Sequence, residues 1–399
     1  MKKLIFIFTL LFAYQTFGFN SYIIKTKETP KSQMMLEFGL KQVRPNLFVV
    51  SKDLFPLLRS QIEIIDSNPN HFLYLDAIAN DLGSDQWGIE NKGKGIDASV
   101  SKAWPITTGS KDIVVAITDT GIDINHPDLK DNIWQNQMEL MGEPGVDDDM
   151  NGYIDDIYGW NMALETNDVS DVNRHGTHVA GIVGAKGNNG IGVTGVNWDV
   201  SLMAVPFFPK KGVAEVADAI QAIDYAIDNG ANVINASWGA AYKKEDEEEY
   251  SLLKEALTRA EKANVTFVAA AGNSNYNNDT RGHVPASFDN PNIISVGSVT
   301  RNGWRSSFSN YGKKSVHVFA PGSTIKSTLP NKYYGNLNGT SMAAPFVAGI
   351  IALMLDKNPM LTTTEIKDIL LDSCDSNRNL VRQCVCGGHI NAKKALEKL

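Results

Sequence analysis

Four residues of this chain are of types that together perform acyl transfer: Asp119, His175, Asn273 and Ser341. Ser341 lies in Gly339-Thr340-Ser341-Met342-Ala343-Ala344-Pro345, a glycine-led turn opening a run, FVAGIIALML, that carries no charge until Asp356. A hydroxyl at the mouth of a buried helix sits in the positive field of unpaired backbone N–H groups, where a developing oxyanion is stabilised. Such a serine needs a base to become a nucleophile. His175, in His175-Gly176-Thr177-His178-Val179-Ala180-Gly181, supplies one, and Asp119, in DTGID, would hold the imidazole in the correct tautomer. Asn273, in AAAGN, would offer its amide to the oxyanion beside the Ser341 N–H. Each also has an ordinary alternative: a helix cap for Thr340 or Ser341, a turn residue for Asp119, a polar helix start for His175 and a left-handed turn for Asn273. His178 reads as the structural one of the two histidines.

The elements that must position these groups follow from periodicity. Residues 113–119, 202–208, 232–238, 266–272 and 293–299 are short, β-branched and nearly continuously apolar, as strands buried on both faces are. Amphipathic stretches at 213–228 and 245–263 alternate with them, and 341–355 is apolar throughout. The pattern predicts an α/β fold, a doubly wound and mostly parallel sheet covered by helices on both faces. In such sheets ligands bind beyond the carboxyl ends of the strands. Asp119, Ser237-Trp238-Gly239 and Asn273 all fall at such ends.

The strings DTGIDINHPDL, HGTHVAGI, NASWG, AAAGN and NGTSMAAPFVAG resemble the motifs of the subtilisin-like serine peptidases, the subtilase family, in the order Asp, His, Ser. The resemblance runs from about Gln86 to the C-terminus. It implies endopeptidase activity on protein or peptide substrates, a triad of Asp119, His175 and Ser341, Asn273 in the oxyanion hole, and Ser237, Trp238 and Gly239 as the stretch that pairs with substrate backbone. It also implies an inhibitory, chaperoning prosegment, for which residues 19–80 are suitably placed. Two departures stand out. Val205-Pro206-Phe207-Phe208 occupies a place where relatives often carry a lysine, and Asn173-Arg174 precedes the histidine where small residues are common.

The chain start, Met1-Lys2-Lys3 followed by LIFIFTLLFAY and Thr16-Phe17-Gly18, reads as a signal peptide over 1–18. Residues 19–80, rich in Lys, Gln and Asn, are expected to form a small αβ unit, with the catalytic domain at 81–399. No later run approaches transmembrane length, so a soluble protein is expected, secreted to the exterior or the periplasm; a monomer is also expected. The net charge of −8 argues against nucleic acid and anionic membranes as partners. Cys374, Cys384 and Cys386 allow one disulfide, from Cys374 to either of the others. A metal site from the three, with His389 as a fourth ligand, is the weaker reading.

Calcium is the expected cofactor. Asp147, Asp149, Asn151 and Gly152 match four positions of an EF-hand loop, Tyr153 could offer its carbonyl, and Asp155 or Asp156 could close the shell. The twelfth position is Tyr158, so this is not a true EF-hand, and a solvated acidic loop is the alternative. A second site, by family resemblance, pairs Asp128 with Asn188 or Asn189. His283, before Val284-Pro285-Ala286, resembles in position the floor of the main specificity pocket, where preference would change around the imidazole pKa; an exposed loop histidine is the alternative. Two other functions share these residues: a non-catalytic binding scaffold, and a ligase resolving the acyl-enzyme with an amine.

Overall fold

The computed structural model describes residues 21–26, 30, 32–37, 40–44, 47–51, 53–61, 64–69 and 79–399 except 94, 210 and 211. The expected signal peptide lies outside the described residues. The chain divides into two compact units, Met1–Leu75 and Asp76–Leu399.

The first unit is a four-stranded antiparallel sheet. Its order is Lys41–Arg44, Leu47–Ser51, Ser21–Thr26, Ile64–Pro69. Helices Ser32–Glu37 and Phe55–Arg59 occupy the crossovers, a split β-α-β arrangement.

The second unit is built on an eight-stranded sheet. From one edge the strands run Asp375–Ser376, Gly388–His389, Val318–Pro321, Ile293–Val299, Thr266–Ala270, Val233–Ala236, Val114–Asp119 and Ser201–Pro206. Every pairing is parallel except the one between the two C-terminal strands. The five runs read from sequence are the five consecutive strands from Ile293–Val299 to Ser201–Pro206, and their residues are almost all buried. Helices Val216–Asp228 and Ser251–Lys262 close one apolar layer with Phe267 and Ile234. Helices His175–Gly184 and Thr340–Lys357 close the other with Val268 and Ile117. Thr340–Lys357 is long and apolar enough to cross a membrane, yet 83% of it is buried inside this unit, which makes it a core helix.

The expected 245–263 helix begins later. Lys244–Tyr250 is a 3₁₀ turn and the α-helix is Ser251–Lys262. Five consecutive acidic residues, 245–249, would repel one another at helical spacing, and the exposed turn relieves this. Cys374 is bonded to Cys386, and Cys384 is buried and free. The disulfide takes two of the three sulfurs, so the three cysteines do not form a metal site, and burial pushes the remaining Cys384 thiol up to about 11. His389 is buried in its short strand pair.

Candidate active site

Asp119 ends its strand with only 1% of its surface exposed. Its carboxylate accepts the Thr120 N–H at 2.8 Å and faces His175 Nδ1 at 2.8 and 3.0 Å. His175 is the first residue of its helix, reached through Arg174 at a left-handed φ of 93°. Gly176 follows because a Cβ there would run into the carbonyl of Gly121 and come 3.2 Å from Asp119 Cβ.

This helix start is held by a residue that the sequence reading missed. Asp171 accepts the N–H groups of Asn173, Arg174 and Thr177, each at 2.8 Å, and the hydroxyls of Thr177 and Thr120 at 2.6 and 2.8 Å. Thr120 Oγ1 in turn accepts the Gly176 N–H at 3.0 Å. The signal available was an aspartate four residues before a helix-initial histidine, in DVNRH. Burial works against a charged His175, but the charge and hydrogen bond of Asp119, aided by the charge of Asp171, outweigh it. The imidazole pKa lies above its ordinary value.

Ser341 sits in the first turn of Thr340–Lys357. Its N–H has no intrahelical acceptor there. Its Oγ donates to the Ser237 carbonyl at 3.0 Å, and its carbonyl accepts the Ser237 hydroxyl at 2.8 Å. Among the described residues no hydrogen bond joins Ser341 Oγ to His175. Asn273 Oδ1 accepts the Thr340 N–H at 2.8 Å and the Thr340 hydroxyl at 3.0 Å, and Thr340 Oγ1 accepts the Gly272 N–H at 3.1 Å. With its oxygen so occupied, the amide nitrogen of Asn273 is left to the cleft. A Cβ built on Gly339 would lie 3.4 Å from Ser341 N and 3.6 Å from Asn273 Nδ2, so glycine keeps open the space both donors face.

One cleft of about 450 Å³ is lined by Asp119, His175, Ser341 and Asn273 together with Ser237, Trp238 and Gly239. Trp238 is fixed by its Nε1 bond to Thr118 Oγ1 at 3.1 Å and by edge contact with Phe207. Phe207 and Phe208, read from sequence as a departure, form with Trp238 an aromatic wall.

The geometry and the motifs converge with similarity to known proteins. Residues 110–387 match the family described as Peptidase_S8, Subtilase family. The chain belongs to the subtilase family. It is 34% identical over 301 residues to subtilisin-like protease 1 of Plasmodium falciparum (isolate 3D7), an alignment covering 71% of this chain and 43% of that protein. To subtilisin amylosacchariticus of Bacillus subtilis subsp. amylosacchariticus it is 38% identical over 265 residues, covering 66% of this chain and 60% of the relative. The chain thus spans under half the length of the Plasmodium relative. Among solved structures, a protease from Pseudoalteromonas arctica aligns with a TM-score of 0.65 and 30% identity, over 81% of this chain and 99% of that one.

The acidic loop of this subtilase brings two of the expected ligands, Asp149 and Asp156, together with Glu139. Asp147 accepts the N–H groups of Asn151 and Gly152, at 3.1 and 2.8 Å. Asp155 accepts the Gly145 N–H at 2.8 Å. The Tyr153 ring packs on Trp160 and Tyr225. The carboxylate oxygens of Glu139, Asp149 and Asp156 lie within 4.8 Å of one another. Asn136 and Asn151 each donate to both Asp149 and Asp156, and Tyr225 donates to Asp156 at 2.6 Å. Burial raises the Asp156 pKa. Glu139 escaped the sequence reading because it lies outside the loop, on helix Gln137–Met141. At the second site Asn189 Nδ2 donates to Asp128 at 2.7 Å, while the N–H groups of Asn188 and Asn189 go to Asp81.

His283 lines the cleft and is not an exposed loop residue. Burial pushes its pKa down to about 4, so it is neutral across the pH range where the sequence reading placed a switch.

Proposed function

We propose that this protein is a serine endopeptidase that hydrolyses protein or peptide substrates through Asp119, His175 and Ser341. The observation that carries the proposal is the Asp119–His175 pair at 2.8 Å, opening on the same cleft as Ser341. Substrate backbone lies along Ser237–Gly239. A substrate N–H takes over the Ser237 carbonyl as its acceptor and frees the Ser341 hydroxyl. Ser341 Oγ turns to His175, which takes its proton as the C–O bond to the substrate carbonyl carbon forms. The oxyanion accepts hydrogen bonds from the Ser341 N–H and Asn273 Nδ2. The imidazolium, stabilised by Asp119, protonates the leaving amine as the C–N bond breaks. Water, deprotonated by the same imidazole, then releases the acid.

Calcium is proposed as a structural ion. Glu139, Asp149 and Asp156 offer the hard oxygen ligands that it takes, and a fully buried Asp156 favours a cation beside it. Its effect is on the persistence of the fold, not on the chemistry. Residues 19–80 are proposed as a prosegment, supported by the compact unit Met1–Leu75 to which most of them belong, and residues 1–18 as an export signal.

The test is the intact mass and casein-digesting activity of secreted wild type and Ser341→Ala, both purified with calcium. The expected result is that only wild type digests casein and only wild type sheds its N-terminal unit. A Ser341→Ala protein as active as wild type would overturn the proposal. Products joined to an added amine in preference to hydrolysed ones would favour ligation.

A further inference from the structure

The cleft that holds Ser341 is also lined by Ser237–Gly239, by Ala270 and Gly272, and by His283, whose ring lies between Gly239 and Gly272. Strand Gly282–Val284 pairs with Ala240–Tyr242, placing His283 opposite Ala241, another cleft residue. The His283 N–H donates to Ser287 Oγ at 3.1 Å and its carbonyl accepts the Ser287 N–H at 2.8 Å, so the backbone is tied on both sides. The imidazole bridges the gap. A Cβ on Gly239 would be 2.8 Å from Nδ1, and a Cβ on Gly272 would be 2.7 Å from Nε2. Neither distance is tolerable, so both walls are glycine where the ring touches them. Gly272 is also at a φ of 105°, which disfavours any other residue.

The ring therefore takes up the depth of the recess. It is 7% exposed; Nδ1 is sealed off without a partner, whereas Nε2 is not sealed and makes no hydrogen bond among the described residues. Nε2 is therefore the ring nitrogen that a substrate group in the recess can meet, and a hydrogen bond made there in a dry site is favourable. Asn310, which also approaches Gly272, is no partner for a substrate group, because its Nδ2 is spent on Ala271 O and Asn278 Oδ1.

We propose that His283 makes this recess shallow and polar, so that the substrate residue whose carbonyl Ser341 attacks carries a short, hydrogen-bonding side chain such as serine, threonine or asparagine. The inference rests on the endopeptidase reading and names its substrate class. A substrate strand along Ser237–Gly239 with its carbonyl at Ser341 points that residue's side chain into the gap between the walls. A benzyl or isobutyl group would meet the imidazole before it was buried. A hydroxyl or carboxamide reaches the ring and bonds to it. Sites that hydrogen-bond a substrate discriminate strongly against analogues lacking the group.

The test is a set of fluorogenic peptides identical except for the residue before the scissile bond, which is Ser, Asn, Ala, Leu or Phe. Wild type is expected to show kcat/KM for Ser and Asn at least about tenfold above Leu and Phe. His283→Gly deepens the recess and removes the partner, and is expected to raise the Phe-to-Ser ratio by about 100-fold. Mass-spectrometric mapping of cuts in denatured casein by wild type gives a second readout that needs no variant, with cuts after short polar residues expected. Efficient wild-type cleavage after Phe or Leu would overturn the specificity inference while leaving the endopeptidase reading intact, as would an unchanged ratio in an active His283→Gly. A wild type that cuts neither peptides nor casein would overturn both.

Discussion

Ser237 and Ser341 exchange two hydrogen bonds: the Ser237 hydroxyl donates to the Ser341 carbonyl at 2.8 Å, and the Ser341 hydroxyl donates to the Ser237 carbonyl at 3.0 Å. Pro345 is the cause of the first. In a regular helix the N–H of residue 345 would bond the carbonyl of residue 341, and proline has none. The freed carbonyl is met by Ser237, itself oriented by Asn235 Nδ2 at 2.9 Å. A helix imperfection thus clamps the backbone of Ser341 to the segment Ser237–Gly239, on the same cleft.

Ser237→Ala leaves the Ser341 carbonyl without its donor. The expected cost is roughly 1–3 kcal/mol of stability, that of a buried acceptor left unsatisfied. Turnover should fall by about tenfold as the Ser341 backbone loosens, on the scale of small misplacements of reacting groups. Urea unfolding and steady-state kinetics of the single variant check both.

Asn273→Ala tests the oxyanion donor. Its amide nitrogen faces the space that Gly339 keeps open, so it should act on the transition state and leave substrate binding nearly unchanged. The expected loss is about 10²–10³-fold in kcat with KM within a few-fold, a figure carried over from subtilisin, where this donor was removed, and not calculated from the present geometry. A variant that changed KM and spared kcat would put Asn273 elsewhere in the mechanism.

Asp171 is a positioning residue, and the pH profile reports it. His175 must be neutral to act as base, and its pKa is raised partly by the Asp171 charge. Asp171→Asn removes that charge, so the acidic limb of kcat/KM should move to lower pH while the maximal rate falls. A purely structural role would lower the rate and leave the limb in place. The helix start should also weaken, because the carboxylate accepts five hydrogen bonds, three from N–H groups and two from hydroxyls.

How much of this was legible in the sequence depended on the range of the interaction. The central strands announce themselves because burial on both faces demands unbroken apolar runs. Asp119, His175 and Asn273 were legible because each stands where an element begins or ends and is embedded in a local string. Strand Val318–Pro321 was not read: the run is short and His317, in front of it, breaks the apolar pattern. Asp171 was missed because its role exists only once residues 171–177 fold back on its carboxylate. Glu139 was missed for a similar reason. Its carboxylate accepts N–H groups from Asp148, Asp149 and Asp155, a closure that spacing along the chain does not encode. His283 was placed near the specificity pocket by resemblance, but its burial and the two glycines that make room for it belong to three dimensions.

Buried neutral histidines set the acid stability. Burial lowers the pKa of His178 and His283 to about 4 and of His317 to about 3. The unfolded chain binds these protons near the ordinary value of about 6.5. Below pH 6.5 the unfolded state therefore holds more protons than the folded one, and stability falls as pH falls toward 4. With three such groups the slope can reach roughly 4 kcal/mol per pH unit. Urea midpoints at pH 7.5, 6.5, 5.5 and 4.5 should decline in that order. A midpoint that held steady down to pH 4.5 would mean that these rings are not buried neutral.

Removal of calcium should separate the converging carboxylates from the rest of the loop. Chelation is expected to shorten the half-life at elevated temperature. A saturating ion at about 100 times its dissociation constant adds roughly 2.7 kcal/mol to the folded state. The discriminating variants are Asp156→Asn and Asp155→Asn. Asp156 is fully buried among Glu139, Asp149 and the amides of Asn136 and Asn151, whereas Asp155 faces the Gly145 N–H. Asp156→Asn should abolish the difference between calcium and chelator in thermal unfolding. Asp155→Asn should preserve it, with a small loss in both conditions. If Asp155→Asn were the variant that lost the calcium response, Asp155 would be the one of the two closing ligands allowed by the loop spacing that holds the ion, and the Glu139 convergence would be only a hydrogen-bonded support for that loop.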